Sequence, residues 1–244
     1  MPFYVNDDIV GTNVKNIHQT NLVGWWDAAF YDSAHDGQSA FNDLSGHGNH
    51  FTFGGGANYE FTQDGIDFDG SNDYAYTGGS PSPISGEDFE DEFSCVIWAR
   101  GDASSTGTSF MMYKTNNYAM GFDGLNGGSN EARFLLDSDV ATSWTTSADI
   151  AHLGSTAGVW YMWTLTWDGS NINRYKDDGD SLGARSTTDY MDTSGDANVV
   201  YIGAKNTTDS EWNGQIAVIR MYKDALTQDE IGVIFDAYRS RFNK

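Results

Sequence analysis

The chain has 244 residues and a formal net charge of −22 at pH 7, with 13 Lys and Arg against 35 Asp and Glu. Nucleic-acid phosphates and anionic membrane surfaces are bound by clustered positive charge, so this composition predicts no nucleic-acid partner and disfavours an anionic membrane surface. Hydrophobic residues make up 39% of the chain, enough to bury a sizeable core. The 14% of aromatic residues and the 28 glycines indicate many short strands joined by tight turns.

Residues 1–21 are polar and show no sustained periodicity, and we predict that they form an N-terminal arm. A flexible tail or an extra edge strand is the alternative. The segment lacks the basic and apolar regions of a secretory signal, so we expect synthesis in the cytoplasm without export. No apolar run approaches the roughly 20 residues that a membrane-spanning helix needs. Cys95 is the single cysteine, which excludes an internal disulfide.

From residue 22 to residue 244 the sequence predicts one all-β domain with a short C-terminal helix. Aromatic-rich segments and turns follow each other there without a proline-rich or low-complexity linker. An apolar run of the kind that is buried on both faces indicates a central strand at 93–100. Three further segments, rich in aromatic and β-branched residues, predict strands at 159–169, 198–204 and 214–224.

The last part of the chain carries the signals of a helix at 227–242. Thr227 is followed three residues later by Glu230, which is the spacing of a capping box. Apolar side chains then recur at helical spacing and predict one buried face: Ile231, Ile234, Phe235, Tyr238 and Phe242.

The segment "DLSGHGNHFTFGGG" at 43–56 raises two interpretations. Turn chemistry explains every residue type in it, because Asp and Ser cap turns and glycine adopts positive φ. The alternative is a calcium site that includes Asp43 and Asn49, since calcium prefers six to eight oxygen ligands. Asp69 and Asp73 in "FDGSNDY" form a second candidate cluster for calcium. The sequence leaves both interpretations open.

Five segments in order resemble the laminin-G-like, concanavalin A-like jelly-roll superfamily. They include "FNDLSGHGNHFTF", "GIDFDGSNDYAYTGG", "FSCVIWAR" and a closing segment that runs from "YIGAKN" to "ALTQDEI". The resemblance implies a two-sheet antiparallel sandwich, whose members bind glycans, bind proteins, cleave polysaccharides or build particles. Some relatives bind calcium through acids on the closing strand. This chain departs from that pattern with Ile216, Ala217, Val218 and Ile219, where the family often has Ile-Asp-Glu-Val.

A narrower likeness concerns the opening of the domain. Trp25-Trp26-Asp27-Ala28, followed by "FNDLSGHGNH" at 41–50, resembles structural proteins of tailed bacteriophages. This likeness implies a virion protein of the capsid surface or tail, made in the host cytoplasm. The N-terminal arm would contact other virion proteins, and homo-oligomers are compatible with the fold. Glycans on the host surface are a further expected partner.

An enzyme is not predicted. Glycosidases of the resembled fold carry carboxylates in an E-x-D-x-x-E arrangement on one strand, so that nucleophile and acid lie about 5 Å apart. The densest acidic run, "GEDFEDEF" at 86–93, lacks that spacing and precedes a core strand. We interpret it as a solvated loop and predict a protein without catalytic residues.

Glycan binding is the remaining functional class, either on a particle or as a free carbohydrate-binding module. Sugars stack on exposed aromatic rings, and three aromatic residues lie in polar, turn-like surroundings: Tyr118, Trp144 and Trp212. We predict these three as binding platforms. Packing in the core or at a protein interface is the alternative explanation for each of them.

Overall fold

The computed structural model describes residues 17–30, 32–34, 38–55, 60–61, 64–77, 92–102, 108–114, 118–123, 131–136, 146–149, 156–178, 180–186 and 199–244. The first eight strands in these residues are β1 (Leu22–Asp27), β2 (Ala40–Phe41), β3 (Phe51–Gly54), β4 (Glu60–Phe61), β5 (Ile66–Asp69), β6 (Tyr74–Thr77), β7 (Phe93–Gly101) and β8 (Thr108–Lys114). The others are β9 (Tyr118–Asp123), β10 (Glu131–Leu136), β11 (Thr146–Asp149), β12 (Tyr161–Trp167), β13 (Asn171–Lys176), β14 (Asp180–Ser186), β15 (Val200–Ile202) and β16 (Asn213–Tyr222). A helix, α1 (Gln228–Tyr238), and a 3₁₀ helix (Arg239–Phe242) complete the chain.

The strands form two antiparallel sheets, as predicted. Sheet I has the order β14-β13-β12-β7-β16-β5-β4, and β1 also pairs with β16. Sheet II has the order β11-β10-β9-β8-β15-β6-β3-β2. All four strands predicted from the sequence are present, and two of them, β7 and β16, pair with each other at the centre of sheet I.

The inner faces of the two sheets enclose the main hydrophobic core. In β12, Trp163, Leu165 and Trp167 belong to this inner core, whereas Met162 points to the opposite face of the sheet. Because both faces of sheet I are covered, its central strands are apolar at nearly every position. This explains the continuous apolar run of β7, in which Phe93 to Ala99 are all buried.

A second cluster lies on the outer face of sheet I, where α1 packs. Trp98 stacks on Phe235 of α1 at 5.6 Å and on Phe242 at 4.3 Å between ring centroids. The predicted capping box is confirmed: the Thr227 hydroxyl accepts a hydrogen bond from Glu230 N, and the Glu230 carboxylate accepts one from Thr227 N. The helix differs from the prediction only in its last four residues, which tighten into the 3₁₀ turn. No helix among the described residues is long and apolar enough to cross a bilayer.

The predicted N-terminal arm falls partly outside the described residues, of which Ile17 is the first. Ile17 packs in the outer cluster of sheet I, and its carbonyl oxygen accepts a hydrogen bond of 2.8 Å from Arg220 Nη1. The base of the arm is therefore attached to the sandwich, immediately before β1.

Candidate functional site

The loop at 43–50 is organised around the carboxylate of Asp43, which is 8% exposed. Its Oδ1 accepts hydrogen bonds from Trp25 N at 2.9 Å and from Ser45 N at 2.8 Å. Its Oδ2 accepts from Ser45 Oγ at 2.8 Å and from Asn49 N at 3.0 Å. Four donors therefore surround one carboxylate, and this arrangement ties the loop to strand β1.

Asn49 makes the second connection between this loop and β1. Its Nδ2 donates to Val23 O at 2.6 Å, and its carbonyl oxygen accepts from Trp26 Nε1 at 2.9 Å. Between the two polar residues the chain turns at Gly46 and Gly48, whose φ values of 90° and 79° suit glycine. These contacts account for the Asp, Ser, Gly and Asn of the sequence pattern as parts of a structural turn.

The same contacts leave few ligands for calcium at this loop. Both Asp43 oxygens already accept hydrogen bonds, and the Asn49 Oδ1 is the side-chain oxygen that is buried without a partner. One such oxygen is far from the six to eight that calcium prefers. In the parts of the chain that the structure describes, no group of three or more His, Cys, Asp or Glu residues is arranged to hold a metal ion.

Asp69 and Asp73 lie together in the turn between β5 and β6. Asp69 Oδ1 accepts from Ser71 N at 2.8 Å, and Asp73 Oδ2 accepts from Asp69 N at 3.1 Å. Asp73 is 3% exposed, and its Oδ1 is buried without a hydrogen-bond partner. Burial raises the pKa of Asp73 and the carboxylates of Asp69 and Asp67 add to the rise, while the backbone hydrogen bond from Asp69 opposes it.

This raised pKa gives a pH-dependent prediction for Asp73→Asn. Burial disfavours the ionised carboxylate of Asp73, so above the folded-state pKa its ionisation destabilises the folded protein by the full amount. This destabilisation disappears as the pH falls below the value of the unfolded chain, about 3.9. Asparagine keeps an oxygen for the Asp69 N–H, so we expect the substitution to raise the Tm by a few degrees at pH 7. The gap between variant and wild type should close toward pH 4 in thermal melts.

A calcium site at Asp73 would give the opposite result for the same variant. If the Asp73 carboxylate held a calcium ion, Asp73→Asn would lower the Tm in calcium buffer and not in EDTA. We expect the Tm of the wild type to be the same in both buffers.

Two of the three aromatic residues predicted as exposed platforms are buried, so that prediction is wrong for them. Tyr118 is 0% exposed and stacks on Phe93 of the opposite sheet, with 4.9 Å between ring centroids. Trp212 is 1% exposed and packs against Phe122 at 5.5 Å. Their polar sequence neighbours suggested exposure, but both rings belong to the inner core. The third residue, Trp144, lies outside the described residues.

A different group of aromatic residues lies on the outer face of sheet II. Tyr74 and Tyr76 of β6 and Tyr201 of β15 are all partly exposed, and buried residues alternate with them along each strand. The three ring centroids form a triangle with sides of 6.0, 6.1 and 6.4 Å. We call these three residues the tyrosine platform.

Strand pairing fixes the geometry of the platform. Tyr76 lies directly opposite Tyr201, and Tyr201 lies opposite Tyr113 of β8. Tyr113 belongs to a small buried cluster on the same face of sheet II. Tyr74 lies opposite Gly54 of β3, and a Cβ atom at Gly54 would collide with the Tyr74 ring. Because glycine leaves this space free, the Tyr74 ring can lie over strand β3 instead of standing upright from the sheet.

This arrangement offers a surface of tilted rings and phenolic hydroxyls. Burial raises the pKa of Tyr201, and the neighbouring Tyr74 and Tyr76 raise it further, so its hydroxyl stays protonated at neutral pH. Rings present apolar faces and hydroxyls present donors and acceptors, the combination that suits amphipathic ligands. The sequence signal was the alternation "YAYT" at 74–77, which places both tyrosines on one face.

The two-sheet fold is that of a lectin-like β-sandwich. The family model described as the concanavalin A-like lectin/glucanases superfamily matches residues 69–232, more than half of the chain. The chain therefore belongs to this superfamily, and the predicted jelly-roll fold is confirmed. A search of curated proteins found no match.

Several solved structures share the fold at low sequence identity. Trypanosoma rangeli sialidase, in complex with 2,3-difluorosialic acid, has a TM-score of 0.64 and 18% identity over 92% of this chain. The receptor-binding domain of botulinum neurotoxin mosaic serotype C/D has a TM-score of 0.64 at 11% identity over 89% of this chain. This chain spans only 34% of the sialidase chain and 51% of the toxin chain.

Domain 4 of AbnA, an extracellular arabinanase of Geobacillus stearothermophilus, is similar over its whole length. That structure, in complex with arabinotriose, has a TM-score of 0.62 and 13% identity. The alignment covers 88% of this chain and 98% of the arabinanase domain. At these identities, all three likenesses concern the fold alone.

Proposed function

We propose that this protein is a non-enzymatic carbohydrate-binding β-sandwich and that the tyrosine platform is its glycan-binding surface. The observation that carries the proposal is the cluster of three partly exposed tyrosines on the outer face of sheet II. Large aromatic side chains that are left exposed together on a sheet face are characteristic of binding surfaces. The equivalent face of sheet I is covered by α1.

The chemistry of the platform suits sugars. A pyranose ring has an apolar C–H face that packs on an aromatic ring, and its hydroxyls can pair with phenolic O–H groups. The likeness to arabinanase domain 4, whose structure contains arabinotriose, supports a sugar ligand for a sandwich of this size. A glycan chain lying over Tyr74 and Tyr201 would contact two rings whose centroids are 6.1 Å apart.

Binding without hydrolysis is the second part of the proposal. Retaining glycosidases place two carboxylates about 5 Å apart around the scissile bond. The platform residues are tyrosines, and the acids beside them, Asp69 and Asp73, have structural roles in a turn. An assay of reducing-end release on polysaccharides that the protein binds is expected to show no turnover.

The setting of the proposed binding function is a bacteriophage particle, on its capsid surface or tail. This part rests on the sequence likeness of "WWDA" and "FNDLSGHGNH" to phage structural proteins. Several copies on a particle would raise the avidity of a weak sugar site for a cell surface. Mass spectrometry of purified virions tests this setting. Absence of the protein from particles, with glycan binding intact, would leave the free carbohydrate-binding module.

A glycan array tests the binding function itself. The full chain is expected to bind a restricted set of glycans, equally in calcium and in EDTA. No binding to any glycan would contradict the proposal, and so would binding that survives replacement of the platform tyrosines.

A further inference from the structure

We infer that the tyrosine platform takes uncharged glycan chains and discriminates against sialylated, uronate-containing and sulfated ones. This inference rests on the proposed glycan-binding function and adds the substrate class to it. It is based on the negative charge of the segments around the platform and on the uncharged phenol groups of the platform itself.

Three segments meet at the Tyr74 end of the platform. Gly54, at the end of β3, pairs with Tyr74, and Ile202, at the end of β15, pairs with the adjacent Ala75. The turn 69–73 leads directly into Tyr74. The end of the platform is therefore bordered by the turn 69–73 and by the loop that follows β15.

The charges that these two segments carry are mainly negative. Asp69 in the turn is exposed, and Asp209 in the loop after β15 is also exposed. The loop contributes one cation, Lys205, whose Nζ is 3.5 Å from Asp209 Oδ2. The same Nζ lies 5.9 Å from the centroid of the Tyr113 ring. The Lys205 charge is thus compensated within its own loop.

Recognition of a carboxylate or sulfate ester needs the opposite arrangement. Arg and Lys supply charge-assisted hydrogen bonds to such groups, often in bidentate form. The platform supplies neutral phenols, and the protein as a whole carries a charge of −22. Surface charges act over a Debye length of roughly 8 Å at physiological salt, which is comparable to the size of the platform. An anionic sugar is therefore repelled at a distance, and the three tyrosines offer it no positive charge in return.

A comparison of matched glycans tests this inference. Arrays or biosensor surfaces carry the same oligosaccharide chain with and without a terminal sialic acid or sulfate group. The neutral form is expected to bind at least about tenfold more tightly at low ionic strength, because binding of the anionic form brings its negative group close to the negatively charged protein surface. The difference is expected to shrink in about 0.5 M NaCl, where the Debye length falls to roughly 4 Å and the repulsion between the ligand and the surface carboxylates is weakened. Binding of the neutral glycan itself should change little with salt.

A single charge substitution makes the test specific to the platform. Asp69→Asn keeps the oxygen that accepts from Ser71 N and removes one negative charge from the turn that leads into Tyr74, so the discrimination should decrease. Asp229→Asn is the matched control, because Asp229 is exposed in the first turn of α1, on the other side of the sandwich. This control should leave the discrimination unchanged.

The possible failures are distinguishable. If sialylated or sulfated glycans bound more tightly than the neutral form and Tyr74→Ala abolished that binding, the proposed substrate class would be wrong. The platform would still be the glycan-binding surface. An equal effect of Asp69→Asn and Asp229→Asn would overturn the local-charge explanation. Absence of all glycan binding would remove both this inference and the proposed function.

Discussion

Replacement of Tyr74 by alanine is expected to weaken glycan binding by roughly 30-fold, the cost of removing an aromatic anchor worth about 2 kcal/mol. The Tyr74 ring lies over β3 beside Gly54, and in the proposed complex it serves as a stacking surface. The double variant Tyr74→Ala and Tyr201→Ala should reduce binding below detection, because in the proposed complex both rings contact the same ligand. Affinity measured by calorimetry or on a glycan surface checks this expectation.

Tyr175→Ala provides the matched control. Tyr175 is also partly exposed, but it packs against the outer cluster of sheet I, on the opposite side of the molecule. Loss of a tyrosine there should leave glycan affinity unchanged. Thermal melts of each variant separate a loss of binding from a loss of folding. Equal losses of affinity in Tyr74→Ala and Tyr175→Ala would show that the platform is not the binding surface.

Gly54→Ala tests the orientation of the Tyr74 ring without removing it. A Cβ atom at this position would meet the ring, so the ring must move away from strand β3. Affinity should fall in this variant although all three tyrosines remain. In the otherwise unchanged protein, Tyr74→Phe should keep most of the stacking energy and lose only the hydrogen bonds of the hydroxyl.

Replacement of Asp43 by alanine is expected to cost about 3 kcal/mol of unfolding free energy, since at least two buried backbone N–H groups lose their acceptor. These donors are Trp25 N and Asn49 N, at 2.9 and 3.0 Å from the carboxylate oxygens. For a chain of this size the Tm should fall by about 6–12 °C. Urea unfolding and calorimetry provide the measurement.

Asp69→Ala is the control for this effect, because the Asp69 carboxylate also accepts from two backbone N–H groups, Ser71 N and Asn72 N. That turn is exposed, so water can replace the lost acceptor and the cost should stay below about 1 kcal/mol. The loss in Asp43→Ala should be the same in calcium and in EDTA. A loss that appeared only in calcium would show that Asp43 is a metal ligand rather than the centre of a turn.

Local sequence patterns predicted the parts of this molecule that depend on nearby residues. The capping box of Thr227 and Glu230 is made within one helical turn, and it is present as predicted. The turn interpretation of the 43–50 loop also relied on short-range chemistry, and the hydrogen bonds of Asp43 to Ser45 and Asn49 agree with it. The contacts of Asp43 and Asn49 with β1 span 18 and 26 residues and were not visible in the sequence.

The candidate binding surface was placed incorrectly from the sequence, and the reason is physical. Polar neighbours suggested that Tyr118 and Trp212 were exposed. Tyr118 lies in β9, where adjacent residues point to opposite faces, and Trp212, just before β16, packs against Phe122 of the other sheet. Tyr118 is covered by Phe93 from the other sheet, a residue 25 positions away in the chain. Which face of a strand is covered depends on the partner sheet, and local patterns carry no information about it.

The amino-acid sequence by itself indicated four of the strands, the C-terminal helix and the turn chemistry, and its motifs resembled those of a lectin-like superfamily. The strands, the helix and the turn follow from side-chain periodicity, backbone preferences and hydrogen bonds between residues close in the chain, whereas the fold membership follows from the resemblance of whole motifs. The tertiary structure alone decided which aromatic residues form a surface. Tyr201 reaches Tyr74 and Tyr76 only because β15 pairs with β6, and α1 covers the outer face of sheet I rather than the tyrosine platform. Long-range strand pairing and the position of the helix together set which rings remain available to a ligand.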